Sequence, residues 1–151
     1  MPNGSFDSNR SEVKQARFLF AALAIGFGVA ALGYAVQPDA VVAQFAQWDR
    51  WLGGAGVYPA TQNRVWVSLA AANVATLSLM SWLLWRDLRR NQAVHLPLLF
   101  MKCVSAALFV GWWLATPGSR SLLIAAAGDF ATGFAIWYFP TRAFRTFEPL
   151  A

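Results

Sequence analysis

The chain has 151 residues, of which 58% are hydrophobic and 13% are charged, and it carries a formal net charge of +5. Soluble globular domains contain about 25% charged residues, so this composition excludes an ordinary water-soluble domain. The single cysteine, Cys103, excludes an intramolecular disulfide.

The apolar residues fall into four runs, at 18–36, 65–85, 96–115 and 121–139. Each run is long enough to cross a hydrocarbon core of about 30 Å as a helix that rises about 1.5 Å per residue. The first run is longer than a signal-peptide core of about 7–15 residues, and no small-residue cleavage site follows it. The sequence therefore predicts an all-α integral membrane protein, with residues 1–151 forming one transmembrane domain built as a four-helix bundle.

Between the first two runs, an amphipathic helix is predicted over about residues 39–52. Asp39 is its expected N-cap, and Gly53 and Gly54 are expected to end it. Its apolar residues recur at three- and four-residue spacing: Val41, Val42, Phe45, Trp48 and Leu52. Three polar residues fall on the other face: Gln44, Gln47 and Arg50. We expect this helix to lie in the membrane interface; capping the bundle or docking a partner is the alternative.

The basic residues of the loops are distributed unequally between the two sides of the membrane. Eight fall on the side of both termini: Arg10, Lys14, Arg17, Arg86, Arg89, Arg90, Arg142 and Arg145. Three fall on the other side: Arg50, Arg64 and Arg120. Because cytoplasmic loops retain Lys and Arg, this predicts a multi-pass protein of the inner (cytoplasmic) membrane with both termini in the cytoplasm. The net positive charge therefore indicates orientation and not a nucleic-acid partner.

Two charged residues lie inside the apolar runs. At about 1.5 Å per residue, Lys102 is about 9 Å and Asp129 about 15 Å from the cytoplasmic ends of their runs. The two runs are neighbours in sequence, so we expect an ion pair, because an isolated charge in the bilayer costs at least about 2.5–3.5 kcal/mol. Snorkelling of the Lys102 side chain to the headgroups is the alternative.

Other polar residues at similar depths extend this pair to a predicted polar cluster. Its members are Asn73, Lys102, Ser105, Asp129 and Thr132. Such groups can hold helices together through hydrogen bonds, each contributing about 0.6–2 kcal/mol. They can also form a site for a proton, an ion or a quinone-like ligand, because ionisable residues inside a membrane are often functional.

The only histidine, His95, precedes the third run and is the one candidate cofactor ligand, for a chlorophyll-type magnesium or a shared site. The alternative is a solvated interfacial residue or a helix-start residue. No histidine or cysteine pair has metal-ligand spacing, and no nucleophile accompanies a base, so we expect neither a metal centre nor an enzyme. No cofactor is predicted, although a lipid, quinone or pigment at an interface stays open. The tryptophans at the run ends are typical of an aromatic belt.

Three features resemble the DoxX-like group of small bacterial four-helix membrane proteins. They are the Gln37-Pro38-Asp39 exit from the first run, the short basic loop after the second run, and the acid Asp129 in the last run. The resemblance covers most of the chain and implies the four-helix fold. Lys102 and the long amphipathic segment are not features that it explains.

Two functions follow from these patterns. The first is a non-catalytic accessory or structural subunit of a larger membrane complex, such as a respiratory, photosynthetic or transport assembly. The second is a small carrier or redox-linked protein that uses the Lys102 and Asp129 cluster as its site. Both predict a chain that contacts the lipid bilayer, with partner membrane subunits or further copies of itself.

Overall fold

A computed structural model of the protein describes residues 4–56, 64–115 and 118–147. For Arg10 and Arg64, which form part of the charge pattern, the backbone alone is described and the side chain is not. Every regular element in the described residues is an α-helix: α1 (Gly4–Val36), α2 (Pro38–Trp51), α3 (Arg64–Arg86), α4 (Gln92–Ala115) and α5 (Ser121–Phe144).

Four of these helices are long and apolar enough to cross a membrane, namely α1, α3, α4 and α5. The predicted all-α four-helix architecture is therefore confirmed. The helices extend beyond the apolar runs, since α4 begins at Gln92 and α5 continues through Pro140 to Phe144. A run of apolar residues marks only the part of a helix that hydrocarbon surrounds, whereas polar residues at its ends continue the same backbone hydrogen bonds.

The four long helices pack mainly as two pairs, α1 with α3 and α4 with α5. The contact between α1 and α5 is smaller, and that between α3 and α4 is smaller still. At the α1–α3 contact the Ser78 hydroxyl donates to the Ala24 carbonyl over 2.7 Å. A Cβ atom added at Gly28 would lie 3.3 Å from the same Ser78 oxygen, so the absent side chain at Gly28 lets the two helices approach closely.

The buried apolar core lies towards one end of the bundle, which we call the basic end. It contains Phe20 of α1, Leu84 of α3, Leu98 of α4 and Ile136 of α5, all with 0% exposure. Hydrogen bonds tie the helices together at this end. Arg17 donates to the Trp85 carbonyl over 2.9 Å, and an Arg142–Glu12 ion pair of 2.6 Å joins the start of α1 to the end of α5.

The opposite end, which we call the α2 end, has few buried apolar side chains. The buried apolar residues on its side of the Lys102 and Asp129 level are two alanines of the described chain, Ala106 and Ala126. Asn73 lies one turn before the buried Leu77 on the same face of α3, towards the α2 end, and yet it is exposed. The face of α3 that covers the core at the basic end is thus uncovered at the α2 end.

The predicted amphipathic helix is present as α2, but its N-cap prediction is wrong. The N-cap is Gln37, without a side-chain capping bond, and Asp39 lies inside the first turn because Pro38 begins the helix. The predicted C-terminal stop is correct. Gly53 has a φ of 74°, and the Gly53 and Gly54 amides donate to the Arg50 and Asp49 carbonyls over 2.9 and 2.8 Å, which is a Schellman motif.

Candidate functional site

The structure places Lys102 of α4 and Asp129 of α5 in direct contact inside the bundle. The Lys102 Nζ lies 2.5 Å from the Asp129 Oδ1, and the two side chains are 9% and 16% exposed. Lys102 therefore does not extend to the headgroups. Gly133 lies beside the pair, where an added Cβ would be 3.5 Å from the Lys102 Cβ, so a small residue lets α4 and α5 come close at this level.

Two further residues complete the surroundings of the pair. The Ser105 hydroxyl donates to the Asp129 Oδ2, so each carboxylate oxygen accepts a hydrogen bond. The Lys102 Nζ lies 4.6 Å from the centroid of the Phe27 ring of α1, which adds a cation–π contact. Lys102, Ser105 and Asp129 form what we call the polar triad.

The two other predicted members of the cluster lie elsewhere. The Thr132 hydroxyl donates to the Gly128 carbonyl of its own helix over 2.7 Å, a common arrangement for threonine in a helix. Asn73 is exposed on α3. The helical rise predicts only the level of a residue along its helix, whereas the rotation of each helix decides which side chains face the pair.

The chemistry of the polar triad follows from its charges. The ammonium and the carboxylate neutralise each other, and hydrocarbon gives neither a better partner, so the pair joins α4 to α5. In the described residues, no group of three or more His, Cys, Asp or Glu side chains is arranged to hold a metal ion. The carboxylate has about four acceptor positions, of which Lys102 and Ser105 use two.

Beside the triad, an open groove of about 790 Å³ runs along the outer seam between α4 and α5, and Asp129 forms part of its wall. Small side chains form much of its lining: Cys103, Ala106, Ala107, Ala126, Ala127 and Gly133. Three aromatic side chains of α5 line its rim, namely Phe130, Phe134 and Trp137. This groove was not predictable from the sequence, because it depends on which small residues face each other across the α4–α5 contact.

His95 is buried, contrary to the solvated alternative, with 9% exposure. Its Nε2 lies 2.7 Å from the Ile136 carbonyl of α5, and its ring meets Phe144 edge to face at 5.3 Å. Pro140 has no N–H to donate to the carbonyl four residues earlier, which is that of Ile136. His95 thus occupies the acceptor that Pro140 leaves open, and its predicted role as a cofactor ligand stays a prediction.

Asp49, which the sequence analysis did not single out, is 1% exposed and joins α2 to the start of α5. Its carboxylate accepts the Ser121 amide over 2.9 Å and the Gly56 amide over 2.7 Å. Burial raises the pKa of Asp49, but the Ser121, Gly56 and Arg120 amides and the Arg120 charge together lower the pKa below its ordinary value. Asp49 thereby caps α5 from another helix.

The space around Asp49 is filled. A Cβ atom added at Gly54 would lie 2.5 Å from the Asp49 Oδ2 and 2.6 Å from the Gly118 carbonyl oxygen. Arg120 also donates to the Leu52 carbonyl over 2.5 Å. The C-terminal end of α2 is therefore fixed to the turn before α5, as the capping alternative predicts.

Comparisons of the chain with family models, curated proteins and solved structures find no match. The resemblance to the DoxX-like group stays a prediction.

Proposed function

We propose that the protein is a non-catalytic accessory subunit of a larger membrane complex and that a transmembrane helix of another chain packs on α3 around Asn73. The observation that carries this proposal is the environment of Asn73. Its side chain is exposed, about 14 Å along α3 from Arg64 at about 1.5 Å per residue. Among the described residues, no side chain or backbone group hydrogen-bonds to its amide.

An unpaired amide at this depth costs free energy. Hydrocarbon offers no hydrogen bond, so an exposed amide at mid-membrane is several kcal/mol less favourable than in water. A polar side chain from a second helix would supply the missing bond and contribute about 0.6–2 kcal/mol to association. A serine, threonine, asparagine or glutamine of the second helix, at the level of Asn73, could form this hydrogen bond.

The surface around Asn73 suits a helix. Trp66, Leu69, Asn73 and Thr76 lie at spacings of three and four residues, which places them on one face of α3. All four are exposed, with Trp66 at 68% and Leu69 at 49%. The Thr76 hydroxyl is already bonded to the Ala72 carbonyl over 2.9 Å, so Asn73 is the residue in this stripe that needs a partner. The small α3–α4 contact leaves this face accessible.

The polar triad supports a non-catalytic role. Its acid and base form an ion pair, and the Ser105 hydroxyl donates to the acid, so each polar side chain of the triad has a partner within it. A respiratory, photosynthetic or transport assembly is the class of complex that we propose. The partner is a different protein, because the accessory role requires one.

We also propose that the basic end faces the cytoplasm. The support is the charge count, since eight of the twelve basic residues belong to the end that carries both termini. A fluorescent protein that matures only in the cytoplasm, fused to the C-terminus, should fluoresce. A fusion that is present in the membrane but does not fluoresce would show that the C-terminus lies on the opposite side.

A photo-crosslinking residue at position 73 tests the accessory role. Position 25 is the matched control, because Ile25 is 69% exposed on α1, away from the α3 stripe. After native purification, position 73 should form one crosslinked product with one stoichiometric membrane chain, and position 25 should not. A free monomer or a homo-oligomer without another protein at position 73 would overturn the proposal.

Asn73→Leu provides an independent readout. It should lower recovery of the complex by roughly 3- to 30-fold, the range that corresponds to about 0.6–2 kcal/mol. The thermal unfolding midpoint of the isolated chain should not fall, because Asn73 makes no bond within it. Full recovery of the complex with Asn73→Leu would contradict a role for the amide.

A further inference from the structure

The groove between α4 and α5 has the size of a small-molecule site. Its volume is about 790 Å³, within the range of about 300–1,000 Å³ that is typical of such sites. It opens sideways towards the bilayer, because Phe130 and Phe134 on its rim are 73% and 55% exposed. A ligand would therefore enter from the membrane and not from water.

The position of Asp129 restricts the polar group of such a ligand. Asp129 lies about 12 Å along α5 from Ser121, at about 1.5 Å per residue, and so lies well inside the hydrocarbon. A phosphate, ammonium or carboxylate headgroup at this depth would cost at least about 2.5–3.5 kcal/mol. The polar triad has no net charge with which to compensate that cost, so the ligand must be uncharged.

The chemistry of the carboxylate restricts the ligand further. An ionised carboxylate only accepts hydrogen bonds, and Asp129 keeps acceptor positions beyond those used by Lys102 and Ser105. A ligand that offers only a carbonyl or an ether oxygen would place a second hydrogen-bond acceptor against the Asp129 carboxylate, and no hydrogen bond could form between them. A hydroxyl group would donate to the free position and cost little to bury.

We propose that this groove binds a neutral long-chain alcohol from the bilayer, with its hydroxyl donating to Asp129 and its apolar body against the small side chains of the lining. The small side chains of α4 and α5 leave room for the chain, and the aromatic rim contacts its side. This inference does not rest on the accessory role, because the groove lies on α4 and α5 whereas Asn73 lies on α3.

Binding of farnesol and of its methyl ether to the protein in lipid nanodiscs tests the proposal, with empty nanodiscs as the background. The two probes share one apolar chain, but only the alcohol can donate a hydrogen bond. Farnesol should bind about tenfold more tightly, as expected when one hydrogen bond contributes about 1.4 kcal/mol. Equal affinity for the two probes would overturn the proposal.

A second pair of variants tests the location. Ala127 lines the groove and is exposed, so Ala127→Phe should fill the groove without overpacking the interior and weaken farnesol binding at least about tenfold. Ala131, one turn further along α5, is exposed and is not part of the groove lining. Ala131→Phe should bind farnesol as the parent does. If Ala127→Phe bound farnesol as tightly as the parent, or if both variants lost affinity equally, the proposed binding of the alcohol in this groove would be wrong.

Discussion

The basic end and the α2 end of the bundle are held together by different forces. At the basic end, large apolar side chains from four helices are fully buried, among them Phe20, Leu84 and Ile136. At the α2 end no large apolar side chain of the described residues is fully buried, whereas the polar Asp49 and Ser121 are 1% and 0% exposed. The polar triad lies between the two ends. Apolar packing therefore contributes most at the basic end, whereas the α2 end depends more on the hydrogen bonds of Asp49.

This difference explains where a partner or ligand can bind. At the closely packed basic end, the side chains that face the interior are covered by their neighbours. The α2 half leaves Asn73 uncovered on α3 and gives Asp129 access to the groove. Membrane helices gain little hydrophobic free energy from packing on each other, so an incompletely packed half costs less here than it would in a soluble protein.

The largest expected effect is at the junction of the two halves. Asp129→Leu leaves the Lys102 ammonium buried without its partner, which should destabilise the protein by about 3–5 kcal/mol. Thermal unfolding in mild detergent measures this loss. A variant as stable as the parent would mean that Lys102 finds water or another acceptor, and that the triad does not join the halves.

Truncation of large side chains compares the halves directly. Leu84 at the basic end is 0% exposed, and Leu69 in the α2 half of the same helix is 49% exposed. Leu84→Ala should cost about 2–4 kcal/mol through the cavity that it leaves, whereas Leu69→Ala should cost less than about 1 kcal/mol. Similar losses in thermal stability would contradict the contrast in packing.

The buried His95 side chain provides a hydrogen bond between α4 and α5 at the packed end. His95→Phe should cost about 1–3 kcal/mol, because the Ile136 carbonyl loses its donor. Pro140→Ala restores a backbone N–H four residues after Ile136, so the double variant should recover part of the loss. Stability of the single and double variants is compared in a thermodynamic cycle. Strict additivity would show that His95 does not act through that carbonyl.

At the α2 end, Asp49→Asn should cost about 1–2 kcal/mol, because the amide can replace only part of the capping role. The loss should depend on pH. Since the folded-state pKa of Asp49 is below its ordinary value, its stabilisation is complete above the ordinary aspartate pKa of about 3.9 and is lost as the pH falls through the lowered value. The stability difference between parent and variant should therefore shrink on acidification. A stability difference that does not change with pH would show that the charge of the Asp49 carboxylate does not stabilise the fold.

Most features that depend on local sequence were predicted correctly, although the N-cap of α2 and the end of α5 were not. The four spans follow from runs of apolar residues, and the levels of Lys102 and Asp129 follow from the helical rise. Features that depend on helix rotation were not predictable, which is why Asn73 and Thr132 were expected in the cluster. Asp49 gave no local signal either, because its partner Ser121 is 72 positions away in the chain.

One missed feature did have a signal. Pro140 follows the last apolar run directly, and a proline inside a helix leaves the carbonyl four residues earlier without a donor. His95 belongs to the same end of the neighbouring helix, so the bond to Ile136 was available to sequence reasoning. The apolar run ended at residue 139, and that boundary placed Pro140 outside the predicted helix.

A double-mutant cycle on Lys102 and Asp129 tests the central claim most directly. Unfolding free energies are measured for the parent, Lys102→Leu, Asp129→Leu and the double variant in the same detergent. The account predicts that the double variant is more stable than Asp129→Leu alone and that the coupling energy is at least about 2 kcal/mol. A coupling energy near zero, with two losses that simply add, would contradict it.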